Sequence, residues 1–389
     1  MTNASQEDGP AISLGIEEEF FLVDPESRDL LVDPDPAIFD ACERVQSPHR
    51  VVREVLRSQI ETNTRVCHSI AELREALQET RRIAIDAAEQ HGASVLAAST
   101  HPFASWREQE RSVGARYDRL ADSLQDNLRR FIVGGMHIHA GFGDAESRIR
   151  VMTAFRRHLP LLHALSTSSP FFSGGNTGFK SWRLTAIGCL PRTGLPGPLG
   201  SWAEYERLLD HYRGMKFIEN ASELWWDIRP SQTYPTVEMR ICDVCTRLED
   251  AICVAALYAS LIRLLMRQDR EGTLPPEPLT ELIAENRWVA QRYGVFAFFG
   301  DSKRQKGVVD IHDEVLGLIE DLIPDAQALG CEAEVRYALD IVRQGSGADR
   351  QSDLYNLRRV EGDSRMEALR RVVDLVIAET REGIEGVSG

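Results

Sequence analysis

The chain has 389 residues, 43% of them apolar and 27% charged. These are ordinary globular values, so disorder, collagen and coiled coil are excluded as descriptions of the whole. Lys plus Arg total 45 against 60 Asp plus Glu, a net charge of −15, which disfavours general binding to a phosphate backbone. A small phosphate compound is still admissible where local cations reverse the sign. Seven cysteines show no framework spacing, and Cys242-Asp-Val-Cys245 is a single CxxC. Zinc would want a second pair, so these two read as ordinary residues of a strand end. Met1–Pro10 is polar and acidic, unlike a signal peptide. The longest apolar run, Ala251–Ile262, falls short of the ~20 residues that span a bilayer. The expectation is a cytoplasmic protein without membrane or nucleic-acid partners, with a homodimer as the usual state for an enzyme of this size.

In chain order, residues 1–12 read as a loose leader. Ser13–Val23 reads as a strand with three acids inside apolar sequence. Ser69-Ile-Ala-Glu72 has the form of a capping box. The helix it opens carries Leu73, Leu77, Ile83, Ala84 and Ala87 on one face, and Gly92 stops it. Ala93–Ser99 is a short apolar strand. Tyr117, Leu120, Leu124, Leu128 and Phe131 mark another amphipathic helix. Ile132–Phe142 reads as a strand. A second capping box, Ser201–Glu204, opens a helix to about Arg213. Glu223–Arg229 and Thr236–Asp243 read as paired strands, and Trp225-Trp226 as core and sheet surface. From Leu248 the pattern is helical, punctuated by Pro275-Pro276 and Gly345-Ser-Gly347. Lys303, Arg304 and Lys306 read as a solvated loop, with a lid over phosphates as the alternative. Strands in the first 245 residues and helices afterwards give an α+β fold, a mostly antiparallel sheet covered by helices. No GxGxxG follows a strand and no P-loop occurs.

Strand alternation then sorts the acids. Successive side chains point to opposite faces. In Gly15-Ile-Glu-Glu-Glu-Phe, Glu17 and Glu19 share one face; Glu18 joins Ile16 and Phe20, which suits an exposed edge. Neighbouring carboxylates on a sheet repel, and burying them unpaired costs several kcal/mol each. A divalent cation is a partner for them. The alternative is an edge strand, where acids are harmless. In Met136-His-Ile-His-Ala140, His137 and His139 share a face. In Thr236–Asp243, Glu238, Arg240 and Cys242 oppose Val237, Met239 and Ile241. Glu61 shares a face with Gln59 and Asn63. A carboxylate alternating with Arg fits a cross-strand ion pair or a metal ligand beside a phosphate clamp. Hard oxygen ligands with an imidazole point to Mg²⁺ or Mn²⁺ rather than zinc. Several carboxylates around more than one cation suit a nucleoside triphosphate.

Taken together, GIEEEF (15–20), SQIETNT (58–64), STHPF (99–103), HIHAGF (137–142), NTGFKSWR (176–183), LPRTGLP (190–196), WWDIRP (225–230), TVEMRICD (236–243) and NRWVAQRYG (286–294) carry a resemblance. The chain resembles the glutamate–cysteine ligase type 2 branch, the carboxylate–amine ligases of the glutamine synthetase-like superfamily. The resemblance spans nearly the whole chain in order. It implies a curved, mostly antiparallel sheet forming a funnel, in one catalytic domain over 13–389. The sheet-forming part is about 13–245 and the helical part about 246–389. It implies ATP with Mg²⁺, Mn²⁺ being possible, and small-molecule carboxylate and amine substrates. Its metal ligands map onto Glu17, Glu19, Glu61, His139 and Glu238, and Arg240 falls near the phosphoryl group. Lys180, Arg183 and Arg229 are the implied substrate contacts.

The implied reaction turns a carboxylate, the glutamate γ-carboxylate in the usual assignment, into an acyl phosphate that an amine attacks. A metal-dependent amide hydrolase is the alternative from the same ligand types. A nucleotide- or amino-acid-binding homologue with weak catalysis is the non-enzymatic one. Nucleotide dependence separates the first two.

Overall fold

The computed structural model describes residues 12–112, 132–300 and 307–384. The expected helix at 117–131, the basic loop at 303–306 and residues 1–11 of the expected leader lie outside the described residues. Ile12, placed in that leader by the sequence reading, is buried in the core instead.

The main sheet is antiparallel throughout. Its strands are β1 (Ser13–Val23), β2 (Arg50–Arg53), β3 (Gln59–Asn63), β4 (Ser94–Leu96) and β5 (Met136–Gly141). Two short pairs follow: β6 (Phe171–Phe172) with β7 (Gly175–Asn176), and β8 (Thr193–Gly194) with β9 (Trp225–Trp226). β10 (Ile228–Pro230) and β11 (Thr236–Met239) then rejoin the main sheet. The order is β10-β11-β5-β1-β3-β2, and β4 pairs with the end of β1. β1 is therefore central, with partners on both sides. The sheet places Glu17 opposite His137, Glu19 opposite Glu61, and Glu238 opposite His139.

One face of this sheet is apolar. Ile16, Phe20, Leu22, Met136, Ile138, Ala140, Val237 and Met239 all bury in the main core. Helices Ile70–Gln90, Ala145–Phe155 and Leu248–Glu271 pack on the sheet. The 24-residue helix Leu248–Glu271 is buried along most of its length, as its continuous apolar run requires. Ser69 Oγ accepts from Glu72 N–H at 3.1 Å. Glu72 reaches one residue further back than a standard capping box, to His68 N–H. Glu204 does the same with Gly200 N–H. Among the described residues no helix is long and apolar enough to cross a membrane.

Glu18 corrects the edge-strand expectation. It is fully buried on the apolar face, and Arg81 from helix Ile70–Gln90 meets it with two nitrogens. Arg81 also donates to the carbonyls of Thr246 and Cys245. The sequence shows which face Glu18 takes; a distant arginine decides that the face is covered. The C-terminal region also contains strands, β12 (Phe298–Gly300) and β13 (Val308–Asp310), that interrupt the expected run of helices. Cys242 and Cys245 are buried, free thiols in the core.

Candidate active site

The other face of the sheet lines a cavity of about 200 Å³. Glu17 and Glu19 come from β1, Glu61 from β3, His137 and His139 from β5, Glu238 from β11. Arg229, Arg240, Trp225 and the turn Ser231–Tyr234 complete the wall. The alternation of antiparallel strands aims all six ligand-type side chains one way.

Two groups of donors form there. Glu17, His137 and Glu238 offer ligand atoms within 4.8 Å of one another, and so do Glu19, Glu54 and Glu61. Glu54 was missed by sequence reasoning. It follows the last residue of β2, where period-two alternation gives no signal. Its acid between a strand end and Val55-Leu56 is the only hint the sequence carries.

Electrostatics divides the two groups. Burial alone would raise Glu17, but hydrogen bonds and charge from His137 and His139 outweigh it and hold the carboxyl well below its usual range. Glu238 is also pushed up by burial, yet Arg240 and then Arg229 bring it far down. Glu19 is raised to about 7 by burial and by the charge of Glu54. Glu61 is raised to about 8 by burial and by Glu17, Glu54 and Glu19. His137 is lowered to about 4 by burial and by Arg240, so its ring is neutral at pH 7 and suited to ligation.

The donor set fits hard divalent cations. Burial and mutual repulsion raise Glu19 and Glu61 despite Arg183 and Arg240 near Glu19, and a cation would favour their ionised forms. His139 Nδ1 is 3.0 Å from Thr236 Oγ1, and its buried Nε2 faces Glu17. A ring fixed at one nitrogen, with the other turned toward a carboxylate of the same donor group, is the arrangement of a ligand. Both histidines contact Glu17: His137 Nδ1 lies 3.1 Å from one oxygen and His139 Nε2 3.4 Å from the other.

The guanidinium groups differ in place. Arg229 donates to Glu238 at 2.8 and 3.2 Å. Arg240 pairs with the same carboxylate and has Nη1 3.3 Å from His137 Nδ1. The other two cations named from the sequence do not line this cavity. Lys180 pairs with Asp349 and its ammonium sits over the Phe296 ring. Arg183 is buried behind the wall and donates to the carbonyls of Ile241 and Arg240. Trp226 is core; Trp225 faces the cavity, with Arg192 over its ring.

Comparison with known proteins gives the family of the chain. Residues 13–374 match the family described as Glutamate-cysteine ligase family 2. A relative from Rhodospirillum rubrum, provisionally named glutamate–cysteine ligase 2, is 45% identical over 374 residues. That alignment covers 95% of this chain and 96% of the relative. A relative of the same provisional name from Jannaschia is 41% identical, covering 94% and 96%. The crystal structure of a glutamate–cysteine ligase from Francisella tularensis in complex with AMP superposes with a TM-score of 0.70 at 14% identity. It covers 96% of this chain and 89% of that one, a likeness of fold. The chain belongs to glutamate–cysteine ligase family 2.

Proposed function

We propose that this member of glutamate–cysteine ligase family 2 uses ATP to activate a carboxylate as an acyl phosphate, which an amino-acid amine then converts to an amide. The glutamate γ-carboxylate is the proposed donor. Family membership makes the chain a ligase that forms C–N bonds. The observation that carries the finer reading is the pairing of two donor groups with Arg240 in one cavity.

A free carboxylate acylates poorly because oxide would have to leave. Transfer of the ATP γ-phosphoryl group to its oxygen provides a phosphate leaving group. The amine forms the C–N bond as the C–O bond to phosphate breaks. Such a site acts mainly by positioning and electrostatics. Glu17, His137, His139 and Glu238 would hold one divalent cation, and Glu19, Glu54 and Glu61 another. When bound, Mg²⁺ neutralises charge on the phosphates. Arg240 orients the transferring phosphoryl group. Arg229, beside it, holds a substrate carboxylate. The cavity is smaller than the roughly 300–1,000 Å³ of sites that enclose a whole ligand. It suits the phosphates and the reacting groups.

The test is ADP release with Mg²⁺, ATP and pairs of amino acids, L-glutamate with L-cysteine first, with mass detection of the amide. Amide formation that stops without nucleotide supports the reading. Cleavage of γ-glutamyl amides without ATP would replace it with the hydrolase.

A further inference from the structure

Arg183 is 5% exposed and lines no part of the cavity wall described above. It starts the short helix Arg183–Ile187, far in sequence from β1 and β11. Its guanidinium nevertheless touches the backbone just past β11 and that of Gly135, which bonds to Glu19 of β1. Nη2 donates to the Arg240 carbonyl at 3.1 Å and Nη1 to the Ile241 carbonyl at 3.2 Å. At the other end of the same residue, Arg240 N–H donates to the Asp227 carbonyl at 2.8 Å. Arg240 is thus held at its N–H and at its C=O by two separate elements.

The same guanidinium lies against Gly135. A Cβ built at that position would overlap Arg183 Nη2, Cζ and Nε. Gly135 is in turn bonded twice to Glu19. Its N–H donates to Glu19 Oε2 at 2.8 Å, and its carbonyl accepts from Glu19 N–H at 3.1 Å. Glycine is required here because only a residue without Cβ lets the backbone approach the guanidinium this closely.

We propose that Arg183 is a positioning residue that sets Arg240 and Glu19 together, through the Arg240 carbonyl and the Gly135 backbone, and that it contacts no substrate. The proposal rests on the ligase reading for what Arg240 and Glu19 do, but not for the contact. Burying a guanidinium costs several kcal/mol unless its donors are matched. Here two carbonyls accept from the guanidinium, and the carboxylates of Asp243 and Glu19 favour its charge. A fixed planar fork can hold two backbone groups at once, which a lysine cannot.

The test is a cycle of Gly135→Ala, Arg183→Gln and the double variant, with Arg183→Lys as a milder single change. Melting temperature reads the contact. Gly135→Ala should lower it by several degrees in the natural background and by much less in the Arg183→Gln background, where the fork is gone. ADP release with MgATP, L-glutamate and L-cysteine reads the positioning. A displacement near 1 Å costs on the order of 100-fold in rate. Each single variant should lose on that order in kcat, the double variant little more, and the KM for ATP should change less than about threefold. Arg183→Lys should retain more kcat than Arg183→Gln. Additive losses of melting temperature overturn the contact. Losses of kcat that multiply, or a change confined to KM, overturn the positioning role. Natural protein that releases no ADP counts against the ligase reading alone, and the melting cycle then decides the contact.

Discussion

Arg229 and Glu238 stand opposite one another on β10 and β11, and Arg229 Nε donates to Glu238 Oε2 at 2.8 Å. Arg240 reaches the other oxygen of the same carboxylate. Glu238 therefore has two cationic partners where the proposed function needs a metal ligand. Metal binding must draw this carboxylate partly away from arginine. Releasing arginine toward an arriving phosphate or carboxylate is the complementary change.

The variant Arg229→Gln tests that exchange; it also removes the donor to the Ser222 and Leu224 carbonyls. One charged hydrogen-bond partner of Glu238 is lost and Arg240 remains, so the stability loss should be about 1–3 kcal/mol. Mn²⁺ should bind several-fold more tightly to the nucleotide-free variant, because one competitor for Glu238 is gone. Calorimetric titration measures both the affinity and the stoichiometry. Unchanged or weaker Mn²⁺ binding would show that the pair does not compete with metal.

The pair Glu18–Arg81 makes a stability prediction on the opposite face. Both side chains are fully buried. Glu18→Gln or Arg81→Met alone leaves one charge without its partner and should cost about 3–5 kcal/mol. The double variant should cost less than the sum. Urea unfolding of the three variants checks this.

Much of this site was legible in the sequence. β1 was read at its observed bounds, and alternation placed Glu17, Glu19, Glu61 and Glu238 on one face. Alternation could not say which second face is covered, so Glu18 was misread and its partner Arg81 was invisible. Glu54 lies just past a strand, where no period applies. β11 ends at Met239 rather than Asp243 because the N–H groups of Arg240 and Ile241 both turn to the Asp227 carbonyl. Asp227 is fixed by Arg287 from helix Thr280–Tyr293. That tertiary pair has no local signature. Arg183 and Lys180 lie outside the cavity lining, and a cation in a motif shows charge, not direction.

Acid should destabilise the protein through His101. Its ring is buried; Nδ1 accepts from Ala104 N–H at 2.9 Å, and Nε2 lies 2.9 Å from the Arg28 carbonyl. Burial lowers its pKa to about 4 in the fold, against about 6.5 when unfolded. A depressed histidine contributes stability that is present above pH 6.5 and lost as pH falls toward 4. The difference is worth about 3 kcal/mol. His101→Gln should lessen the fall in unfolding free energy between pH 6.5 and 4.5, leaving the share of His137, which burial lowers likewise.

Metal-free protein should show the reverse trend near neutrality. Glu19 and Glu61 have folded pKa values raised to about 7 and about 8. Their contribution is present below the unfolded value near 4.5 and is lost as pH rises through 7 and 8. The melting temperature in a chelator should fall from pH 6 to pH 9. Mg²⁺ should raise it more at pH 8.5 than at pH 6, because the ligands must be deprotonated to bind. Glu61→Gln should remove most of both effects.

The central claim is that one sheet face holds divalent cations for nucleotide-dependent amide formation. The most direct measurement is ADP release and amide product counted together, with Mg²⁺, for natural protein, Glu17→Gln and Glu238→Gln. One ADP per amide in the natural protein, a requirement for Mg²⁺, and a loss of at least about 100-fold in both folded variants is the expected result. Unchanged turnover in both variants, or amide chemistry that proceeds without ATP, would contradict it.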